Sequence, residues 1–193
     1  MSRLLRATIV LLLLASCGGG NATAPRNMDD ACSILRQRPA FLPAMAKTER
    51  RWGVPVPVQM ATIYQESKFI GTAKTPHQYA LGIIPMGRQS SAYGYAQALD
   101  GTWDEYRRDQ RRGGARRDKI ADATDFMGWY MDGSTQRLGI SKTDAQSQYL
   151  AYHEGRKGFA NGSYRRKAWL MEVSSKVQSR ALMYDQQLRR CRR

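Results

Sequence analysis

The spacing of apolar residues predicts an α-helical protein. In several stretches apolar side chains recur every three or four residues, which is typical of helices with one buried face. The clearest stripe comprises Ile120, Ala123, Thr124, Met127, Tyr130 and Met131, and we expect Gly133 to end its helix. No stretch alternates apolar and polar residues strongly enough to compete, so the predicted fold class is all-α.

Further helices are predicted from the same spacing and from capping residues. They comprise a helix capped by Asp29 or Asp30, a stripe over 41–52 ended by Gly53, a capping box at Thr102, a helix from Ser141 to Gly155, and a stripe over 169–188. Residues 70–93 show no periodicity and contain several glycines and prolines. A loop this long is usually functional or hides missed elements, and we interpret it as a substrate-facing lid or wall.

One acidic residue follows a nearly all-apolar segment. Residues 54–64 have almost no polar face, so their helix is expected to cross the core, with Pro55 and Pro57 at its start. Glu66 lies just beyond. Apolar surroundings raise the pKa of a carboxyl group, which suits a general acid near neutral pH. The alternative is a solvated glutamate at a helix end.

The first residues have the order of an export signal. Arg3 and Arg6 precede an apolar run that is too short to span a bilayer, and Leu14-Ala15-Ser16-Cys17 follows. This segment resembles a bacterial lipobox, in which the cysteine becomes the lipidated first residue. We therefore expect a signal peptide over 1–16, a flexible lipidated tether over 17–28 and a single domain over 29–193. An aspartate directly after the lipidated cysteine would favour retention in the inner membrane. This position is Gly18, so the outer membrane is the expected location.

Cysteine number and charge fit an exported protein. With Cys17 lipidated, Cys32 and Cys191 remain and are expected to form a disulfide, although two free thiols stay the alternative. Two histidines in the whole chain make a metal site unexpected, and no cofactor motif is present. The formal net charge of +15 favours an anionic partner. For an exported chain, envelope polymers are expected rather than nucleic acid.

Three short segments together resemble a known family. They are Gln65-Glu66-Ser67-Lys68-Phe69, Gly94-Tyr95-Ala96-Gln97 and Ala151-Tyr152-His153-Glu154-Gly155. Their order and helical setting resemble the lytic transglycosylase domain of the soluble lytic transglycosylase family, over roughly residues 52–164. Residues 120–130 also look like the family helix between the last two motifs. The resemblance implies a lysozyme-like helical domain that cleaves peptidoglycan without metal or cofactor.

The resemblance also implies roles for individual residues. Glu66 takes the place of the family's single acid/base, which cuts the β-1,4 bond between N-acetylmuramic acid and N-acetylglucosamine and leaves an anhydro-muramoyl end. Ser67 and Gln97 would contact substrate, and Tyr152 would hydrogen-bond Glu66. From the residues alone, Ser67 could instead cap its helix, Gln97 could be a surface amide and Tyr152 could belong to the core.

The chain departs from the family pattern at several positions. Tyr95-Ala96 replaces Leu-Met, and His153-Glu154 replaces Asn-Ala. Tyr95, His153 and Glu154 are therefore counted as candidate substrate contacts. A cleft-facing Glu154 would provide a second carboxylate and make the enzyme a hydrolytic muramidase; otherwise it is expected to pair with a neighbour such as Arg156. A catalytically inactive wall-binding lipoprotein is the third alternative.

Overall fold

Seven α-helices and one small hairpin make up the described part of the chain. The computed structural model describes residues 21–80 and 84–191. The helices are α1 (Ala31–Gln37), α2 (Phe41–Trp52), α3 (Val56–Ser67), α4 (Asp100–Asp109), α5 (Ile120–Leu138), α6 (Ala145–Ala160) and α7 (Ala168–Cys191), with a 3₁₀ turn at Ser163–Arg166. The strands are β1 (His77–Ala80) and β2 (Ile84–Arg88). This mostly helical architecture confirms the predicted all-α fold class.

Helix α3 lies in the middle of the core. Pro55 and Pro57 occupy its start, where proline has no helical hydrogen bond to lose. Its apolar side chains are almost completely buried, as the lack of a polar face predicts. It packs against α2, α5, α6 and α7. Lys68 ends it in a left-handed conformation, with φ of 51°. The last turn, with Glu66, therefore lies where several helices meet.

Two predicted limits of α5 and α6 are wrong. Gly133 lies inside α5, which continues to Leu138 and ends at Gly139. A Cβ atom at Gly133 would lie 2.7 Å from the Arg156 guanidinium, so this glycine makes room for a side chain of α6. Ser141 precedes α6 rather than starting it, because the Asp144 carboxylate accepts the Ser147 N–H at 2.9 Å and caps the helix there.

Three other predicted limits also shift. Helix α4 begins at Asp100 without a side-chain cap, so Thr102 lies within its first turn. Gly155 kinks α6, with φ of 74°, and helical turns resume beyond it. In α7 the buried stripe starts at Leu170, while Trp169 is 54% exposed.

Residues 70–93 contain strands that the periodicity did not predict. β1 and β2 pair antiparallel, with His77 opposite Arg88. Their residues do not alternate in polarity, and Met86 is 65% exposed. Strands without this alternation give no period-2 signal in the sequence. The proposed lid or wall is therefore a hairpin in part.

Both ends of the described chain are attached to the domain. Cys32 and Cys191 form a disulfide, with Cα atoms 5.7 Å apart, which ties α1 to the end of α7 as expected. Residues 21–28, predicted as flexible tether, instead lie against the domain: the Asn21 carbonyl accepts the Gly71 N–H at 2.7 Å, and Thr23 accepts Arg38 Nη2 at 2.9 Å. The predicted signal peptide and Cys17 lie outside the described residues.

Among the described residues, no helix combines the length and apolar character needed to cross a bilayer.

Candidate active site

Glu66 is enclosed by protein at the end of the core helix. It lies in the last turn of α3 and keeps only part of its surface open to solvent. Burial raises the pKa of its carboxyl group to about 7, although a hydrogen bond from Tyr149 and the charge of Lys68 both act to lower it. Desolvation outweighs these two because the carboxylate loses more hydration by burial than one hydrogen bond and one nearby charge replace. The Glu66 carboxyl group is therefore about half protonated near pH 7.

The hydrogen-bond partner of Glu66 is Tyr149, and the prediction that Tyr152 has this role is wrong. Both tyrosines lie on α6, three residues apart, and thus on one face of the helix. The Tyr149 hydroxyl hydrogen-bonds Glu66, and burial together with the glutamate raises the tyrosine's own pKa. The hydroxyl therefore stays protonated and remains a donor.

Tyr152 instead joins α6 to the segment 94–97. Its hydroxyl donates to the Ala96 carbonyl oxygen at 2.6 Å. From α3, the Ser67 hydroxyl donates to the Tyr95 carbonyl oxygen at 2.8 Å. The three motifs recognised in the sequence therefore meet at one place, with Glu66 between them. Ser67 is buried, so in this structure its hydroxyl positions the segment.

The conformation of segment 94–97 depends on Gly94 and Gln97. Gly94 has φ of 82°, and a Cβ atom there would collide with the Arg117 carbonyl. Gln97 has φ of 46°, and its amide nitrogen donates to the carbonyl oxygens of Ala73 at 3.0 Å and Gly94 at 2.8 Å. Both hydrogens of that amide are thus committed to holding the turn, and the predicted sugar contact stays a prediction.

Tyr95 contributes its backbone to the site, whereas its side chain belongs to the core. Its ring is 1% exposed and meets Phe41 edge-on, with centroids 5.6 Å apart. The hydroxyl donates to the Asn21 side chain at 2.9 Å. With no exposed face left, the ring lacks the surface that the predicted substrate contact would need.

Glu154 forms an ion pair with Lys167 rather than with Arg156. Its side chain is 5% exposed and accepts hydrogen bonds from Lys167 Nζ at 2.7 Å and from the Ser163 hydroxyl. These donors lower the pKa of its carboxyl group to about 2. Arg156 lies over the Tyr130 ring, 4.2 Å from the centroid. The carboxylate of Glu154 is therefore committed to fixing the 3₁₀ turn.

His153 lies at the surface beside Glu154. Its Nδ1 is 3.2 Å from Glu154 Oε1, and its ring meets Trp169 with centroids 5.3 Å apart. The substrate contact predicted for His153 is compatible with this exposed position and stays a prediction.

Sequence reasoning missed Tyr149 and Lys68. Tyr149 lies three residues before Tyr152 in the predicted helix from Ser141 to Gly155. Helical spacing puts both on one face but does not show which hydroxyl reaches Glu66. Lys68 was quoted only as part of a motif. Within residues 21–80 and 84–191, no three histidine, cysteine or acidic side chains lie close enough together to hold a metal ion.

A family comparison agrees with this geometry. The model of the transglycosylase SLT domain family matches residues 5–191, nearly the whole chain. The chain belongs to the transglycosylase SLT domain family. A comparison with curated proteins finds no match. Membership confirms the resemblance carried by the three motifs, and peptidoglycan is the substrate class that an SLT domain implies.

Proposed function

We propose that this SLT-domain protein is a lytic transglycosylase that cleaves the β-1,4 bond between N-acetylmuramic acid and N-acetylglucosamine, with Glu66 as its single acid/base. The observation that supports this most is the enclosed Glu66 carboxyl group, whose pKa of about 7 lets it hold a proton when substrate arrives. Family membership supports the reaction class.

The chemistry needs one carboxyl group in two protonation states. Protonated Glu66 gives its proton to the glycosidic oxygen as the bond from C1 breaks. The resulting carboxylate accepts the proton of the sugar's C6 hydroxyl, whose oxygen then bonds to C1 and closes the anhydro ring. The Tyr149 hydroxyl stabilises the carboxylate between the two transfers by donating to it. No water enters the product, and Glu66 ends protonated again.

Glu154 is a poor candidate for the second carboxylate that a muramidase needs. A general base must reach a water molecule at the reacting carbon. Glu154 is instead covered and held by Lys167 and Ser163, and its low pKa makes it a weak base. These contacts favour the transglycosylase reaction over hydrolysis.

Mass analysis of the products tests this proposal. Purified peptidoglycan digested by the protein should yield muropeptides one water lighter than hydrolysis products. Glu66→Gln should abolish these products and still bind the polymer. Hydrolysed ends would establish a muramidase, and wild-type binding without cleavage would establish a wall-binding lipoprotein.

We further propose that lipid on Cys17 anchors the protein to the outer membrane, facing the periplasm. The support is the lipobox-like segment that ends at Cys17. Cys17→Ser should release the protein from the membrane fraction, and Gly18→Asp should retain it in the inner membrane. If the Cys17→Ser variant fractionated like the wild type, the anchor would be rejected.

A further inference from the structure

A pocket of about 380 Å³ opens beside the last turn of α3, between this turn and α7. Its walls are Tyr64, Gln65, Lys68, Lys176, Val177, Ser179, Arg180 and Met183. Glu66 belongs to the same helical turn but reaches toward α6, where it meets Tyr149. The pocket therefore adjoins the candidate acid without containing it. Its volume is in the range of sites that bind small molecules.

The pocket is lined by three cations and by no acidic residue. Arg180 Nη1 bonds Asp29 at 2.7 Å and also donates to the Met28 carbonyl and the Tyr184 hydroxyl, each at 3.2 Å. Lys176 bonds Glu172 at 2.5 Å, and the carboxylates of Asp29 and Glu172 both lie mostly in solvent. Exposed pairs of this kind hold their partners weakly. Lys68 lies over the Tyr64 ring, 3.8 Å from its centroid. Because Lys68 contacts a ring rather than a carboxylate, it is the donor that gives up least to bind an incoming anion.

Two of the cations are held close to each other. The Arg180 guanidinium lies 3.5 Å from the centroid of the same Tyr64 ring that Lys68 contacts. Burial and the charge of Arg180 lower the pKa of Lys68. Like charges held at one ring repel, and an anion bound at the edge of the ring would offset that repulsion.

The backbone fixes Lys68 in this position. Lys68 and Phe69 both have positive φ, of 51° and 62°, which is uncommon for residues other than glycine. The Phe69 ring is completely buried, with its centroid 6.0 Å from that of Phe41. This anchor keeps the chain in the left-handed turn that directs Lys68 along the Tyr64 ring. The cation is therefore positioned before any ligand arrives.

We propose that this pocket binds a carboxylate of the peptide carried by the glycan strand, and so selects strands that still carry peptides. The inference rests on the proposed function, because the muramic acid residue at the cut bears that peptide. Peptide carboxylates match the Lys68 and Arg180 donors, and Tyr64, Val177 and Met183 offer apolar surface to small side chains. The pocket thereby links the choice of substrate to the nearby acid Glu66, which lies two residues before Lys68 in the chain.

Binding here has a second consequence for Glu66. The charge of Lys68 lowers the pKa of the Glu66 carboxyl group. A carboxylate bound to Lys68 offsets that charge, so the pKa of Glu66 rises when a peptide-bearing strand is in place. The correct substrate thus keeps the acid protonated to a higher pH.

The kinetic test compares peptide-bearing strands with the same strands after an amidase has removed the peptides. For the wild type we expect kcat/KM about tenfold higher on the peptide-bearing strands. Lys68→Gln and Arg180→Gln should bring this ratio close to one. Lys68→Arg keeps the positive charge and should keep most of the wild-type ratio. Lys47→Gln, at an exposed lysine of α2, is the matched control and should keep the wild-type ratio. A wild-type ratio of one, or an unchanged ratio in Lys68→Gln, would overturn the proposal.

A binding test separates this inference from the proposed function. The free peptide released from the polymer should bind the wild type. Amidation of the peptide carboxylates should abolish this binding, and so should the Lys68→Gln substitution in the protein. If the wild type binds the peptide but cuts neither kind of strand, the pocket proposal stands and the catalytic proposal is refuted. Inorganic phosphate binding as tightly as the peptide would overturn the peptide assignment.

Discussion

The Tyr149 hydroxyl hydrogen-bonds the Glu66 carboxyl group and so joins the middle of α6 to the last turn of α3. Three residues further along α6, Tyr152 bonds the Ala96 carbonyl oxygen instead. One helix face therefore provides both a partner for the acid and a support for segment 94–97. This division of roles makes the two tyrosines a matched pair for mutation.

Tyr149→Phe should shift the pH dependence of cleavage, and Tyr152→Phe should not. Removing the Tyr149 donor raises the pKa of Glu66, because that hydrogen bond lowers it. The fall of kcat/KM with rising pH should move to higher pH, and kcat should drop about tenfold. Tyr152→Phe breaks only the link to Ala96 and should keep the wild-type midpoint. Equal midpoints for the wild type and Tyr149→Phe would remove Tyr149 from the mechanism.

Burial of Glu66 should make the protein less stable as pH rises. The unfolded carboxyl group ionises near 4.5 and the folded one near 7, so between these values the folded state binds more protons. Stability that is fully present below pH 4.5 is lost through pH 7, by roughly 3 kcal/mol. Glu66→Gln lacks this loss.

Denaturant unfolding of both proteins across this range measures the effect. The free energy of unfolding of Glu66→Gln relative to the wild type should rise from pH 4.5 to 7 and then level off. A difference that does not vary with pH would show that Glu66 is solvated.

Glu154→Gln should reduce stability without changing the product. The Lys167 and Ser163 donors hold the pKa of Glu154 near 2, so its ion pair stabilises the fold above pH 4.5 and is lost as pH falls toward 2. The variant should melt at a lower temperature at neutral pH and still form anhydro ends. A variant that melts normally but cannot cleave would make Glu154 a catalytic group.

Reduction of the Cys32–Cys191 disulfide should lower the melting temperature. The bond closes a loop of 159 residues, and constraining a loop of that order in the unfolded chain stabilises by about 4–5 kcal/mol. A Cys32→Ser/Cys191→Ser double variant should melt at this lower temperature with or without reductant. Identical melting curves for oxidised and reduced wild type would contradict the structure.

The sequence predicted the parts of this fold that depend on burial. The core helix α3 and the α5 stripe both follow from apolar spacing. The helix end predicted at Gly133 was wrong because this glycine makes room for Arg156, a residue of another helix. The hairpin was missed because the residues of its strands do not alternate between apolar and polar.

The candidate site was predictable as a set of segments but not as a set of contacts. The position of Glu66 at the end of the core helix was predictable, because an acid that follows an apolar run is a local signal. Its catalytic role stays a prediction. Tyr149 and Tyr152 share one face, and only the position of α6 against α3 decides which reaches the acid. Glu154 pairs with Lys167 rather than Arg156 because the kink at Gly155 and the 3₁₀ turn bring the chain back.

The central claim is that Glu66 still holds its proton near neutral pH because protein surrounds it. Titration of the glutamate side-chain carboxyl carbons by NMR, with Glu66→Gln to assign the signal, tests it most directly. We expect a midpoint near 7 for the Glu66 carboxyl group. A midpoint near the ordinary value of 4.5 would contradict it.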